Sequence, residues 1–103
     1  MIVAIVQIPI APRPREEAVR QATASAPTYR DLGGRGLLRK HYLNGAAGGG
    51  GVYLWRTRAD AEAWYTDAWR KAMTDRFGAA PVVTYYESLV TVDNVTGETV
   101  VES

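Results

Sequence analysis

Residues 51–56 read GVYLWR, and this short stretch decides the fold of the chain. Val52 and Leu54 alternate with Tyr53 and Trp55, so both faces of an extended segment are apolar here. Tyr53 and Trp55 share one face, because successive side chains of a strand point to opposite sides. The stretch predicts a β-strand that needs packing against both faces of its sheet.

A glycine-rich segment separates this strand from an earlier one. Residues 37–43 (LLRKHYL) are predicted as a strand and residues 44–50 (NGAAGGG) as a flexible hairpin loop. The glycines do not form a phosphate-binding loop, since no Gly-Lys-Ser/Thr follows them and the next element is a strand. Residues 2–8 (IVAIVQI) are β-branched and apolar at nearly every position, which predicts another strand with both faces buried.

A helix is predicted between the first two strands. Pro14 suits its first turn, and Glu16 and Glu17 suit the positive end of the helix dipole. Pro27 is expected to end or kink this helix, because proline lacks the N–H that an interior position needs. The alternative is a further helical turn that carries Tyr29 and Leu32. The inner side of the helix carries mainly alanine, which leaves space beneath it.

The remaining elements follow the strand at residues 51–56. Residues 57–77 are predicted as one amphipathic helix, because apolar side chains recur at steps of three and four and Gly78 suits the C-terminal end. Residues 82–92 (VVTYYESLVTV) are rich in β-branched and aromatic side chains, which predicts a long strand. Residues 95–103 form a tail that either folds back as a short extra strand or remains loose.

The element order is β-α-β-β-α-β, which predicts an α+β fold over residues 1–94. This is the ferredoxin-like arrangement, an antiparallel sheet with two helices on one face. The helices cover only that face, yet the strands at residues 2–8 and 51–56 are apolar on both sides. In so short a chain the simplest second layer is another copy, packed sheet against sheet as a dimeric α+β barrel. We therefore expect a homodimer, with the tail at residues 95–103 as a candidate strand at its interface.

The composition excludes several classes of function. Twelve basic and eleven acidic residues give a net charge of +1, which leaves no electrostatic footprint for nucleic acid or for an acidic membrane surface. The chain has no cysteine and one histidine, His41, so thiolate chemistry and a multi-histidine metal site are excluded. No Gly-x-Gly-x-x-Gly joins a strand to a helix, so no nicotinamide or flavin cofactor is expected.

No segment has the character of a targeting signal or a membrane anchor. No apolar run approaches the roughly 20 residues of a membrane helix. The apolar start of the chain lacks the basic residues and the small-residue cleavage site of a secretory signal. We therefore expect a cytoplasmic protein.

The supply of aromatic side chains is the main indication of function. A small core rarely satisfies so many tyrosine hydroxyls and tryptophan N–H groups, although each ring taken alone is an ordinary core residue. A cavity lined by aromatic side chains and a few polar groups is the usual form of a small-molecule site. We therefore predict a pocket between helices and sheet for a small aromatic molecule. Its candidate binding residues are Gln7, Tyr29, Tyr53, Trp64, Trp69 and Tyr85.

The candidate catalytic residues are His41, Trp55 and Tyr65. Histidine is the side-chain type whose charge changes near neutral pH, so His41 is a candidate general base. If residue 41 pairs with residue 53, His41 shares the face of Tyr53 and Trp55, whereas a slip of one residue moves it to the other face. Gln7, polar within an apolar strand, points either into the pocket or into water at the strand end.

The chain resembles a known family over residues 1–94. The segments 51–55 (GVYLW) and 58–66 (RADAEAWYT) are similar to the YdhR-like mono-oxygenases, as are residues 2–8 and 36–42. That family belongs to the dimeric α+β barrel superfamily, with the antibiotic-biosynthesis mono-oxygenases and the heme-degrading oxygenases. The resemblance implies the fold and the dimer that the strands also predict.

The resemblance also implies roles for particular residues. In better-understood relatives a tryptophan of the third strand and an amide of the first strand flank the pocket, and Trp55 and Gln7 match them. The heme-degrading members carry their iron-ligating histidine on the second helix, near the place of Tyr65. No histidine occurs on that helix here, so heme is not expected.

These implications predict a cofactor-independent mono-oxygenase acting on a small phenolic, anthrone-like, quinol or polyketide-like substrate. In such chemistry the substrate supplies the electrons, while the protein removes a proton, holds the anion and excludes water. The alternatives are a cyclase or isomerase that uses the same pocket without O₂, and a non-catalytic dimer that binds a small molecule.

Overall fold

The structure is a computed structural model and describes residues 1–102. Six strands and three helices follow one another along the chain. They are β1 (Ile2–Ile8), α1 (Arg15–Asp31), β2 (Leu37–Gly45), β3 (Gly48–Trp55), α2 (Arg58–Trp64), α3 (Asp67–Phe77), β4 (Val82–Glu87), β5 (Val90–Asp93) and β6 (Glu98–Val101). A short 3₁₀ turn, Leu32–Arg35, joins α1 to β2.

The first four strands form one antiparallel sheet in the order β2-β3-β1-β4. This confirms the predicted α+β class and antiparallel sheet, and the strand order is compatible with a ferredoxin-like fold. Strands β5 and β6 form a separate two-stranded sheet. Within residues 1–102, no helix has the length and apolar character needed to span a membrane.

The core lies between the helices and one face of the sheet. Alternate residues of β1, from Ile2 to Ile8, are buried on that face, while Val3, Ile5 and Gln7 point to the other. Trp55 in β3 is completely buried. The opposite face, which we call the open face, is apolar but only half-buried within one chain, so β1 has one fully buried side and not two.

The glycine-rich segment is a tight hairpin, and the prediction of a flexible loop at residues 44–50 is wrong. Only Ala46 and Ala47 separate β2 from β3, and the glycines that follow pair with β1. Gly50 lies opposite Gln7 with a φ of +130°, and a Cβ there would collide with the carbonyl oxygen of Val6. The glycines are therefore required by the close approach of two backbones.

The predicted single helix at residues 57–77 is two helices. Thr57 begins α2, where its hydroxyl accepts from the backbone N–H of Asp60 at 3.1 Å. Thr66 begins α3 in the same way and accepts from the N–H of Trp69 at 3.1 Å. A capping threonine competes with helix continuation, because its side chain satisfies a backbone donor at a new helix start. The break leaves Tyr65 between the two helices, where it is buried.

Helix α1 continues through Pro27 to Asp31, although the proline was expected to end or kink it. The extra turn carries Tyr29 over the sheet, where its ring centre lies 5.8 Å from that of Tyr53. Packing of this aromatic ring offsets the hydrogen bond that proline removes from the helix interior.

The predicted strand at residues 82–92 is divided into β4 and β5. The N–H of Ser88 bonds to the carbonyl of Met1 at 3.0 Å, which is where β1 has no further residues to pair with. The chain then turns away and β5 pairs with β6, so the tail folds back as a strand. The tail predicted at residues 95–103 ends in Ser103, which lies outside the described residues.

Candidate functional site

A cavity of about 520 Å³ lies between α1, α3 and the sheet. Its α1 wall combines small side chains with a few larger ones: Ala18, Ala22 and Ser25, together with Arg15, Val19, Gln21 and Tyr29. Its α3 wall has three large apolar side chains: Trp69, Met73 and Phe77. Alanine along α1 leaves the space that the larger residues of α3 and the sheet enclose, and the volume is within the usual range of small-molecule sites.

The register of β2 against β3 decides which side chains reach this cavity. The pairing shifts between Leu37 and Arg39, as at a β-bulge. After the shift Lys40 lies opposite Tyr53, and His41 lies opposite Val52. Lys40 therefore shares the helix-facing side of the sheet with Tyr53, and its side chain enters the cavity.

The amine of Lys40 lies against three tyrosine rings. Its Nζ is 3.2 Å from the ring centre of Tyr29, 3.8 Å from that of Tyr42 and 4.7 Å from that of Tyr53. Within residues 1–102, no acidic side chain forms an ion pair with it. The amine is thus held by ring faces in place of a carboxylate, an arrangement that attracts an ammonium ion.

Burial lowers the pKa of Lys40 to about 7, and the positive charge of Arg76 is the second cause. Both effects favour the neutral amine, whereas the tyrosine faces favour the ammonium form. A lysine with this pKa can take up and release a proton near neutral pH, which is the property required of a general base.

Two of the tyrosines around the amine are weaker acids than a free tyrosine. Burial raises the pKa of Tyr53 above its ordinary value and also raises that of Tyr42. The Tyr42 hydroxyl lies 2.8 Å from the hydroxyl of Ser25 on α1, which closes this side of the cavity. These phenols can therefore act as hydrogen-bond donors to a bound oxygen, and they are poor bases.

The other end of the cavity is positively charged. Arg13, in the loop between β1 and α1, donates from Nη1 to Gln21 at 2.5 Å and from Nη2 to the carbonyl of Leu43 at 3.5 Å. Its backbone is held by Asn44, which accepts from the Arg13 N–H at 3.0 Å and donates to the Arg13 carbonyl at 2.8 Å. Arg76 lines the same cavity from the last turn of α3.

Three of the predicted binding residues line the cavity: Tyr29, Tyr53 and Trp69. Trp64 packs against Tyr29, with ring centres 5.8 Å apart, but does not line the cavity. Tyr85 lies beyond it as well, beneath Arg58, whose guanidinium carbon is 4.7 Å from the ring centre.

Two of the predicted catalytic residues lie in the core beneath the cavity. The Nε1 of Trp55 donates to the hydroxyl of Tyr65 at 3.1 Å, and both side chains are buried. Burial also raises the pKa of the Tyr65 hydroxyl. Neither residue lines the cavity, so their geometry supports packing more directly than catalysis.

His41 and Gln7 lie on the open face, away from the cavity. The pairing of His41 with Tyr53, one of two predicted registers, is wrong, because the two-residue turn at Ala46 and Ala47 places His41 opposite Val52. Gln7 alternates with the buried Val6 and Ile8 and is exposed. Placing Gln7 inside the pocket is therefore wrong as well.

The charged side of the cavity, which includes Lys40 and Arg13, was not predicted from the sequence. Neither Lys40 nor Arg13 is among the site residues predicted from the sequence. The signal for Lys40 is its alternation with Tyr42, which places both on one face of a strand. That signal becomes usable only when the length of the turn between β2 and β3, and with it the register, is known. Arg13 carries no such signal, because it lies in a loop.

No family model and no curated protein matches the chain. In the part of the chain that the structure describes, no group of three or more histidine, aspartate or glutamate side chains is placed to hold a metal ion. The function of the cavity is therefore inferred from the side chains that line it.

Proposed function

We propose that this chain is a cofactor-independent mono-oxygenase of the YdhR-like kind, acting on a flat phenolic, quinol or anthrone-like substrate. The observation that carries the proposal is the amine of Lys40, buried against tyrosine rings on the floor of an aromatic cavity. It supplies a proton acceptor where a flat ring has space to bind.

Lys40 is the base in this proposal, in the role that the sequence analysis gave to His41. The neutral amine removes a proton from an acidic C–H or O–H of the substrate. The resulting ammonium ion is stabilised by the ring faces and holds the substrate anion beside it. For an anthrone, the CH₂ carbon then reacts with O₂ to give a C=O group and one water. One oxygen atom enters the product, the other leaves in the water, and the substrate supplies both hydrogens and both electron pairs.

The aromatic walls have a second part in the mechanism. Tyr53 and Trp69 are buried, so water is displaced from the place where the anion forms. Electrostatic interactions strengthen as water is excluded. The hydroxyls of Tyr29 and Tyr42 are available to donate to the substrate oxygen.

The proposal includes a homodimer built as a dimeric α+β barrel. Four apolar side chains of the two central strands, Val3, Ile5, Val52 and Leu54, are half-buried on the open face of the single chain. Tyr86 and Val82 in β4 add exposed apolar area, at 55% and 58% exposure. A second copy packed against this face would bury them.

Lys40 also supports an alternative reaction. Proton removal by a buried amine is the first step of many cyclisations and isomerisations, and these need no O₂. The requirement for O₂ therefore separates a cyclase or isomerase from a mono-oxygenase.

The test is O₂ uptake with 1,8-dihydroxyanthrone, corrected for the rate without protein. We expect uptake by the wild type and a loss of at least about 100-fold in Lys40→Met. Lys71→Met is the matched control, because Lys71 is the only other lysine and pairs with Asp75 on the surface. Anthrone turnover by Lys40→Met at the wild-type rate would refute the role of Lys40.

His41→Gln in the same assay compares the two candidate bases directly. Loss of uptake in this variant, with Lys40→Met unaffected, would return the role to His41. Conversion of the probe under argon would favour the isomerase or cyclase, and binding without conversion would favour a carrier.

A further inference from the structure

The near-zero net charge of the chain conceals a strong local asymmetry. Four of its twelve basic residues line the cavity, and none of its eleven acidic residues does. The four are Arg13, Arg15, Lys40 and Arg76. Glu17 accepts a hydrogen bond from Gln21 at 3.3 Å, and Gln21 in turn accepts one from Arg13, but Glu17 does not line the cavity. A cavity with this lining favours a ligand that carries negative charge.

The positive groups mark two ends of the cavity. Lys40 lies opposite Tyr53, whereas Arg13 is fixed to Asn44, four residues further along β2. The backbone positions of Lys40 and Asn44 are about 13 Å apart along the strand, but the Lys40 side chain reaches toward Tyr42, with Nζ 3.8 Å from that ring centre. The two charged groups are therefore closer together than the backbone positions, and the space between them suits a flat aromatic molecule with a different group at each end.

Arg13 has donors that the protein does not satisfy. A guanidinium has five N–H donors, and Arg13 uses one on Gln21 and one on Leu43. Its Nε is buried and has no hydrogen-bond partner within residues 1–102. Because Nε is not accessible from the cavity, a ligand carboxylate would accept from the Nη1 and Nη2 N–H groups that Gln21 and Leu43 do not use.

We propose that the substrate is an aromatic carboxylate, bound with its carboxylate on Arg13 and its reacting end at Lys40. The assignment of the reacting end rests on the proposed function, whereas the anion site rests on Arg13 alone. Arg76, on the last turn of α3, adds positive charge to the cavity without a carboxylate partner among the described residues. Arg13 is half-buried and keeps guanidinium N–H groups that no protein acceptor uses, so a ligand carboxylate that accepts from them would be bound favourably.

The test measures binding with two probes that differ in one charge. Anthraquinone-2-carboxylate and anthraquinone-2-carboxamide have the same rings and nearly the same size, and both are already oxidised. Isothermal titration with wild-type protein is expected to show the carboxylate binding at least about tenfold more tightly. Arg13→Gln should weaken carboxylate binding by about the same factor and leave amide binding unchanged.

Arg20→Gln is the matched control, because Arg20 is exposed on α1 and does not line the cavity. It should bind both probes as the wild type does. Equal affinities for the two probes, or binding of neither, would overturn the inference. Because this comparison is made on the wild type, it does not depend on whether Arg13→Gln folds.

The binding test of the anion site and the O₂-uptake test of the proposed function can fail independently. A carboxylate preference without any O₂ uptake would keep the anion site and reject the mono-oxygenase. Uptake of O₂ with the neutral anthrone, but no carboxylate preference, would reject the anion site alone.

Discussion

Lys40 and Tyr53 are cross-strand partners in the β2–β3 ladder, and Nζ of Lys40 lies 4.7 Å from the centre of the Tyr53 ring. Tyr53 is 3% exposed and belongs to the core. The amine is therefore positioned by the same packing that holds the sheet together. A reactive group fixed in this way keeps its distance to a bound substrate, which loop residues do less well.

The first prediction concerns the titration of Lys40. Because burial lowers its pKa to about 7, one lysine should change charge near neutral pH. Side-chain NMR of ¹³C,¹⁵N-lysine-labelled protein checks this directly, since the chain has only two lysines. Lys71→Met should retain the low-pH transition and Lys40→Met should lose it. A spectrum in which neither lysine titrates below pH 9 would contradict the prediction.

The same pKa predicts how stability depends on pH. Between about 7 and the ordinary value of 10.5, the unfolded chain holds a proton on Lys40 that the folded chain has released. The contribution of Lys40 to the free energy of unfolding therefore rises with pH across this window and is constant below it. Urea denaturation of the wild type should show this rise relative to Lys40→Met, and Lys71→Met should behave as the wild type. A difference that is independent of pH would contradict the linkage.

How far the sequence predicts the site can be judged from Tyr53 and Lys40. The alternation in residues 51–56 correctly places Tyr53 and Trp55 on one face of a strand. The partner strand was predicted within two residues of its bounds, but its register was left open. The register at Lys40 is set by the two-residue turn at Ala46 and Ala47, because the pairing runs without a shift from Gly45 with Gly48 to Arg39 with Leu54. The sequence predicted a seven-residue loop at this place, and that left the register open. The register differs by one residue from the one that would pair His41 with Tyr53, so Lys40 faces the cavity in place of His41.

The break between α2 and α3 shows a different limit of prediction from the sequence. Apolar spacing runs continuously through Tyr65 and Trp69, so periodicity predicts one helix. The Thr66-Asp67 pair is a helix-start signal that competes with this spacing, and the structure follows the cap. The charged residues in the loop before α1, including Arg13, could not be placed, because loops carry no periodicity.

The third prediction separates packing from catalysis at Tyr65. Tyr65→Phe leaves the buried Nε1–H of Trp55 without its acceptor, so the free energy of unfolding should fall by about 1–3 kcal/mol. Tyr86→Phe is the control, because Tyr86 is 55% exposed and its loss should change stability by less than about 0.5 kcal/mol. Urea denaturation measures both. If Tyr65→Phe remains folded but loses O₂ uptake, the catalytic role first predicted for Tyr65 is restored.

The fourth prediction concerns the glycines of β3. Gly50→Ala places a Cβ against the carbonyl oxygen of Val6 at a φ of +130°, so it should destabilise the protein by about 2–5 kcal/mol. Gly34→Ala is the matched substitution, because Gly34 has open space around it and a negative φ. It should stabilise the protein by about 0.4–1 kcal/mol, because alanine lowers the conformational entropy of the unfolded chain. Equal effects would mean that the close approach of β1 and β3 does not constrain Gly50.

The last prediction tests the open face. Ile5 lies at its centre, opposite Val52 in β3 and Thr84 in β4, and is half-buried in one chain. If a second copy covers this face, light scattering should give about twice the 11.3 kDa chain mass. Ile5→Glu should then be monomeric at micromolar concentration, because a buried carboxylate at a sheet-to-sheet interface has no partner.

Val19→Glu is the control for this substitution, since Val19 is 47% exposed on α1, on the helix side of the sheet and away from the open face. It should remain a dimer. Circular dichroism of Ile5→Glu shows whether the chain is still folded, so that loss of the dimer is not confused with unfolding. A wild-type chain that is monomeric at every concentration would refute the barrel. The apolar open face would then be exposed to water in the free protein, and the likeness to the dimeric mono-oxygenases would lose its structural support.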